Sequence, residues 1–577
     1  MGWPYQFLAL DAAGKQARRQ SIDRHAAYAQ LSALLPVAVF LLCRLAAWLV
    51  RKTVSSDRVA YSAVPDSPGL KKRRQSVLGY RASCTRRTTW WLGEDIVLFG
   101  QNWGQRDQMI AGIGWAVWLL FLCITGTGND YLHLTKRLGL VAISQFPVQY
   151  LLALKNLNPF ALAFRSSHEQ VNRWHRVLGR IIYFFLFLHT SLYLNFYVQE
   201  GILGERIVRL VPALGITAFT GMCLLTVTAF GRIRHYSYRI FFITHFIIAF
   251  ALPPIIYFHA HRSSFYVAEA LLVFLADLIK RKIDTVMAET TLEAIPGTDL
   301  IKIIASIPLQ KAARFCERPG AHIYLSIPPA SRPSSNPASI ANMVFEFTFN
   351  PFTIAAADGD MGTLTLVARH HNGPMTRSLA RLANTDSTDM NVPLFIEGPY
   401  GCATRFPNLA GTEFDRVLLV AGGVGATFIL PLYRSIISEN SAAKVRMIWA
   451  VRTLGDATWP LVGSKKSIFD DDNIHVYLTG DLFESEDHGS GLSTEGEEVE
   501  MDRIYTDGRR IKYNSGHDNK RPNFQNIVDD LFRQGVEDRV AVLVCGPENM
   551  ARELRSCVGV WVKKGRRVWW HNESFTW

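Results

Sequence analysis

The chain lacks the marks of several common protein classes. Its eight cysteines (Cys43, Cys84, Cys123, Cys223, Cys316, Cys402, Cys545, Cys557) are scattered without a C-x-x-C pair. Neither a disulfide framework nor a zinc site is indicated. The formal charge is +13, yet no compact basic face interleaved with aromatics occurs, which argues against a nucleic-acid partner. No cleavable signal peptide is evident either. Lys15, Arg18, Arg19 and Arg24 occupy the first thirty residues, and the apolar run after them is too long for an h-region. Acidic residues are also scarce in the long apolar runs of the first half, where Glu269 and Asp277 are the exceptions.

Those runs dominate what is present. At 577 residues two or three domains are expected, and before residue 281 about seven stretches reach the roughly 20 apolar residues that a spanning helix needs. They are 28–50, 108–126, 137–154, 177–197, 210–230, 239–258 and 263–279. Basic residues collect between them, in Arg51-Lys52, Lys71 to Arg74, Arg232 to Arg234 and Lys280 to Lys282. Placing these in the cytosol gives an odd number of spans with the N-terminus outside. Lys136 and Arg137 then fall on the outer side, against the charge rule.

After about residue 285 the pattern changes. Short β-rich runs such as Leu300 to Ile304 and His322 to Ile327 alternate with Pro and Gly turns, as in an antiparallel barrel. From about 412 the order is strand, glycine turn and helix, which predicts an α/β unit with a parallel sheet. The acidic and Gly/Ser-rich stretch 483–521 reads as a disordered insertion. The domains expected are residues 1–107 (a first span and a basic loop), 108–281 (a helical membrane domain), 285–410 (a β-barrel) and 411–577 (a nucleotide-binding unit).

Imidazoles inside spanning helices call for a functional explanation. His175 and His189 fall on the fourth span, His245 and His259 on the sixth, each pair fourteen residues apart. Fourteen helical steps end about 40° short of four full turns, so each pair shares a face. The rise is about 21 Å. Two such helices facing each other present two levels of paired imidazoles, the geometry of two stacked bis-histidyl haems. A lone helix-end histidine is ordinarily satisfied by backbone or water, but a matched double pair is not explained that way. Metal transport through the same residues would call for more carboxylates in the spans.

Further motifs follow in order. Asn350-Pro351-Phe352-Thr353-Ile354 offers backbone donors and a hydroxyl on a strand. Gly373 to Leu379 reads as a glycine turn opening a helix, and includes Thr376. Such an N-terminus can hold a pyrophosphate. Gly422-Gly423-Val424-Gly425-Ala426-Thr427 follows a strand and precedes a helix, the context a dinucleotide fingerprint requires. The next strand ends at Arg452 with no carboxylate at its tip, which favours the 2′-phosphate of NADPH over NADH. Cys545-Gly546-Pro547 closes a third strand.

In this order the chain resembles the ferric reductase family, within the wider group that includes the NADPH oxidases. The matching residues are Trp174-His175-Arg176 with His189, Thr244-His245 with His259, Asn350 to Ile354, Glu397 to Gly401, Gly422 to Thr427, Cys545 to Pro547 and Glu573 to Trp577. The resemblance implies an α-helical transmembrane bundle followed by a ferredoxin-reductase-like module, an antiparallel β-barrel FAD domain plus an α/β nucleotide domain. It implies that His175 and His245 bind an inner b-type haem, and His189 and His259 an outer one. Pro351 to Ile354, with Gly373 and Thr376, would hold FAD. Gly422, Gly423, Gly425, Ala426, Thr427, Arg452, Gly546 and Pro547 would hold NADPH beside Cys545, while Phe575 or Trp577 would shield the flavin. The family usually carries His where Asn350 stands.

The expectation is an NADPH-dependent ferric-chelate reductase embedded in membrane lipid, with its flavin and nicotinamide domains cytosolic. Family resemblance places it in the plasma membrane, where a metal permease or oxidase would be a partner. Ferric or cupric chelates would accept the electrons. A superoxide-generating NADPH oxidase is one rival, and a histidine-lined transporter with a regulatory nucleotide domain is another.

Overall fold

The computed structural model describes residues 4–54, 77–98, 101–332, 349–371, 373–384, 391–401, 406–411, 413–460, 471–480, 521–535 and 538–573. Phe575, Trp577, Cys402 and nearly all of 483–521 lie outside the described residues. The chain divides into two compact units, Met1–Ser62 with Trp91–Asp284, and Ala63–Trp90 with Thr285–Trp577.

The first unit is helical: α1 (Ala12–Ser32), α2 (Leu35–Val54), then α4 (Arg106–Ile124), α5 (Tyr131–Ser144), α6 (Phe146–Leu151), α7 (His168–Gln199), α8 (Leu210–Thr228), α9 (Tyr238–His259) and α10 (Ser264–Asp284). Helix α3 (Val77–Leu92) lies between α2 and α4 in the chain. Large apolar side chains such as Leu42, Trp48, Ile113, Phe121, Ile247, Phe258 and Leu272 point outward. In water that exposure would be unfavourable, whereas lipid accepts it.

Among the described residues, five helical stretches are long and apolar enough to cross a bilayer: Ala12–Leu49, Arg106–Ile124, His168–Gln199, Leu210–Thr228 and Tyr238–His259. The sequence count of about seven differs at 137–154 and 263–279. The former is not one helix, because the chain turns at Gln145 into α6, whose first turn carries Pro147. Its apolar residues are covered by protein, around a fully buried Arg137. The latter is a continuous helix, α10, that carries carboxylates on its packed side. Glu269 accepts from Gln30 Nε2 at 2.6 Å, and Asp277 accepts from the backbone N–H groups of Asn156 (2.9 Å) and Leu157 (2.8 Å).

Helix α9 contains Pro253 and Pro254 between its two histidines. Proline has no N–H, so the carbonyl four residues earlier loses its helical donor. At Ala249 the loss is made good from outside the helix, by the phenol of Tyr150 on α6. The interruption in α9 is therefore stabilised by a tertiary hydrogen bond.

In the second unit, six antiparallel strands close a barrel. They are β1 (Val286–Ala294), β2 (Leu300–Ser306), β3 (His322–Ser326), β4 (Asn350–Asp358), β5 (Thr363–Arg369) and β6 (Val392–Tyr400), in the order β1-β2-β5-β4-β3-β6. Ile303, Ile323, Leu325, Leu364, Leu366 and Leu394 fill it. Helix α11 (Pro374–Ala383) buries Met375 and Leu379 in that core.

The remaining elements are β7 (Arg416–Gly422), α12 (Ala426–Glu439), β8 (Val445–Val451), β9 (Ile474–Leu478), α13 (Phe524–Arg533), β10 (Arg539–Cys545), α14 (Glu548–Lys563) and β11 (Arg567–Glu573). The five strands form a parallel sheet in the order β9-β8-β7-β10-β11. The chain winds outward from β7 to β9, then returns to β10 on the other side. The switch point of the sheet thus lies between β7 and β10, where ligands collect in such folds. Helix α3 packs on this unit through Trp90, whose ring lies under the Arg555 guanidinium at 4.4 Å and edge-on to Trp570 at 5.8 Å.

Tyr150→Phe would strand the Ala249 carbonyl inside the bundle, at a cost of about 1–3 kcal/mol. Thermal unfolding of the detergent-solubilised protein is expected to show a lower midpoint for this variant, with Tyr28→Phe, an exposed control, unchanged.

Candidate functional site

Helices α7 and α9 bring the four histidines together as two pairs. The rings of His175 and His245 lie with centroids 6.0 Å apart. His189 and His259 are close enough for their charges to interact. Three of the four are oriented in the same way. His175 Nδ1–H donates to the Gln149 carbonyl (2.9 Å), His189 to Thr135 (2.7 Å) and His259 to Val211 (2.7 Å). A carbonyl has no proton to give, so Nδ1 is the protonated nitrogen and Nε2 keeps its lone pair. That is the tautomer a metal-binding imidazole needs, with its second nitrogen anchored. His245 Nδ1 is buried and has no hydrogen-bond partner among the described residues.

Two metal–nitrogen bonds of about 2 Å plus the ring radii separate two imidazoles on one metal by about 6 Å, centre to centre. The spacing of His175 and His245 fits a shared metal between them. Space at the second level is made by glycine. A Cβ on Gly139 of α5 would sit 2.6 Å from His189 Nδ1, and one on Gly215 of α8 would overlap His259. Neither glycine was singled out in the sequence, although an isolated Gly in an apolar helix is a signal of close packing.

In the barrel, Asn350, Pro351, Phe352 and Thr353 of β4 pair with Leu325, Tyr324, Ile323 and His322 of β3. Thr353 and Ile354 are buried, on opposite faces of the strand, with Ile354 in the barrel core, and Asn350, Pro351 and Phe352 are half-buried. Beside them Tyr400 donates to Glu397 at 2.6 Å and packs edge-on against Tyr324. Gly373 is the extended residue before α11 and offers no side-chain cap. The first-turn N–H groups of that helix therefore lack an internal acceptor. The Thr376 hydroxyl donates to the His371 carbonyl at 2.7 Å and accepts from its N–H at 3.2 Å, which closes the turn.

The glycine turn after β7 and the Cys545–Pro547 loop after β10 meet at the switch point. Gly422 ends β7, Gly423–Gly425 form a single tight turn, and Ala426 and Thr427 begin α12. A side chain at Gly425 would overlap the Cys545 carbonyl, and one at Gly422 would lie 2.7 Å from Pro547 Cδ. The two loops thus touch backbone to backbone. The Cys545 thiol is raised well above its ordinary value, by burial first and by the nearby Glu573 carboxylate second. It stays protonated at neutral pH.

Arg452 follows β8 and is exposed. The nearest carboxylate downstream, Asp456, is buried and paired with Arg369 at 3.2 Å. That ion pair joins barrel strand β5 to the α/β domain beside Gly423, whose Cβ would lie 3.7 Å from Arg369 Nη2. Sequence reading missed it, because the partners are 87 residues apart.

Gly425→Ala would force the β7 and β10 loops apart. In the full-length protein, weakened protection against proteolysis by NAD(P)H is expected, with the helical unit unaffected.

Three family segments match in succession. "Ferric reductase like transmembrane component" covers residues 138–256, "FAD-binding domain" 286–404 and "Ferric reductase NAD binding domain" 414–559. The chain is 25% identical over 521 residues to a "Probable metalloreductase AIM14" of Scheffersomyces stipitis, covering 86% of this chain and 89% of that protein. It is 23% identical over 476 residues to "Ferric/cupric reductase transmembrane component 2" of Schizosaccharomyces pombe, covering 76% and 80%. It is 25% identical over 341 residues to "Ferric reduction oxidase 8, mitochondrial" of Arabidopsis thaliana, covering 56% and 43%. A segment similar to ferric reductase transmembrane components, a segment similar to FAD-binding domains and a segment similar to ferric reductase NAD-binding domains thus follow one another along the chain.

Proposed function

We propose that the chain is an NADPH-dependent metalloreductase that carries electrons across a membrane from FAD through two haems to ferric or cupric chelates. The carrying observation is the pair of imidazoles His175 and His245, 6.0 Å apart, with the second pair held by the same kind of Nδ1–carbonyl bond. His175 and His245 would hold one iron through Nε2, and His189 and His259 the other. When bound, FAD splits a hydride pair into single electrons, and a bis-histidyl haem passes one electron at a time without an open iron position.

The chain's own residues do the positioning. Gln149, Thr135 and Val211 fix three imidazoles through their carbonyls, so the ligands are set before a metal arrives. The Gly422–Gly425 turn and Cys545–Pro547 loop let a dinucleotide approach the backbone of the switch point. Arg452 would meet the 2′-phosphate, with the next acid in the chain, Asp456, engaged by Arg369. Each NADPH oxidised releases one proton and two electrons, enough to reduce two Fe(III) chelates to Fe(II). The relatives named as ferric/cupric reductases support these acceptors. The Lys- and Arg-rich loops would place the flavin end in the cytosol, and the family resemblance would place the chain in the plasma membrane, where a permease or oxidase could take the reduced metal.

The purified protein is expected to show two b-type haems and one FAD per chain, and to reduce ferric chelates with NADPH. His245→Leu should remove one haem and abolish chelate reduction while NADPH-driven reduction of a soluble dye persists. A superoxide-dominated rate without chelate reduction would instead identify an oxidase, and absence of both haem and flavin would refute the proposal. Arg452→Ala should raise KM for NADPH about tenfold or more and leave that for NADH nearly unchanged, as expected for loss of a charge-assisted phosphate contact.

A further inference from the structure

The end of the bundle that carries His189 and His259 also carries a cluster of cations. Arg18 and Arg19 come from α1, Lys136 from α5, and Arg262 from the turn three residues past His259. Arg18, Arg19, Asp130 and Arg262 all lie close enough to Lys136 to act on its charge. Arg18 pairs with Asp130 at 3.0 Å, and Arg262 pairs with Asp23. Arg19 is exposed and Lys136 half-buried, and neither side chain has a hydrogen-bond partner among the described residues.

Arg137 adds a fifth cation, fully buried and bonded to Ser21 Oγ, His133 and backbone carbonyls with no acid. Of these five cations, only Arg18 and Arg262 have a carboxylate partner among the described residues. On the electron-transfer reading His189 and His259 form the outer level, and Lys and Arg are ordinarily depleted from that face of a membrane protein. Their convergence from three separate elements therefore calls for a negatively charged occupant. Lys136 adjoins Thr135, whose carbonyl holds His189, so an anion drawn to Lys136 is drawn to the outer imidazole level.

We propose that Arg19 and Lys136, supported by Arg18 and Arg262, form the docking site for the electron acceptor, and that this acceptor is an anionic polycarboxylate chelate of Fe(III). The proposal rests on the electron-transfer reading above and adds the charge class of the substrate. Docking holds the chelate by charge at the surface; the metal needs no protein ligand there, because the electron arrives without a bond to iron.

Full-length protein in proteoliposomes, supplied with NADPH on the nucleotide-domain side, tests this with two acceptors, ferric EDTA (anionic) and hexaammineruthenium(III) (cationic). The double variant Arg19→Gln, Lys136→Gln should raise KM for ferric EDTA about three- to tenfold with kcat within about twofold. KM for the ruthenium complex should stay the same or fall, and haem content should be unchanged. Added salt should weaken ferric EDTA use by the wild type more than by the variant. Equal KM changes for both acceptors, or none, would overturn the docking site. Wild-type reduction of hexaammineruthenium(III) would in that case leave the electron-transfer reading standing, whereas failure with both acceptors would remove both.

Discussion

Three hydrogen bonds from imidazole Nδ1 to backbone carbonyls decide which way the histidines of the helical unit face. Each carbonyl lies on an element other than the histidine's own helix: Gln149 on α6, Thr135 on α5, Val211 on α8. A rotation or slide of any of these helices would release a ring, so helix packing and ligand geometry are one constraint. The same constraint explains the glycines. A ring that reaches a neighbouring helix's carbonyl must lie on that helix's surface, and Gly139 and Gly215 leave the surface bare enough.

Other departures from regular structure follow from this packing. Helix α9 tolerates two prolines because Tyr150 supplies a donor that the helix cannot. The chain turns at Gln145 rather than continuing as one helix, and so places the Gln149 carbonyl where His175 can reach it. Asp277 on α10 fixes the segment that follows, accepting from Asn156 and Leu157. A buried carboxylate holding two backbone N–H groups satisfies both partners in a setting where water is scarce.

In the second unit the governing contact is likewise backbone to backbone. The Gly422–Gly425 turn meets Cys545–Pro547 so closely that no side chain fits at Gly425. The parallel order β9-β8-β7-β10-β11 brings together strand ends more than a hundred residues apart in the chain. The Arg369–Asp456 pair then ties barrel to sheet beside this turn. It also engages Asp456, the next acid after Arg452 in the chain.

Much of this was legible in one dimension, because the signals were local and periodic. Fourteen-residue histidine spacings on apolar helices, a glycine turn between strand and helix, and alternating strands all report directly on neighbours within the same element. The span count was less legible, since apolar length cannot tell a helix sheathed in lipid from one sheathed in protein, and the segment from 137 to 154 belongs to the second kind. Nothing in the order of residues could show that Tyr150 serves Ala249, that Gly139 makes room for His189, or that Arg369 neutralises Asp456. The sequence by itself determined the kinds of element and the chemistry each carries. Tertiary structure alone decided which carbonyl orients each imidazole and which charges are paired, because both depend on distances between helices and strands remote in the chain.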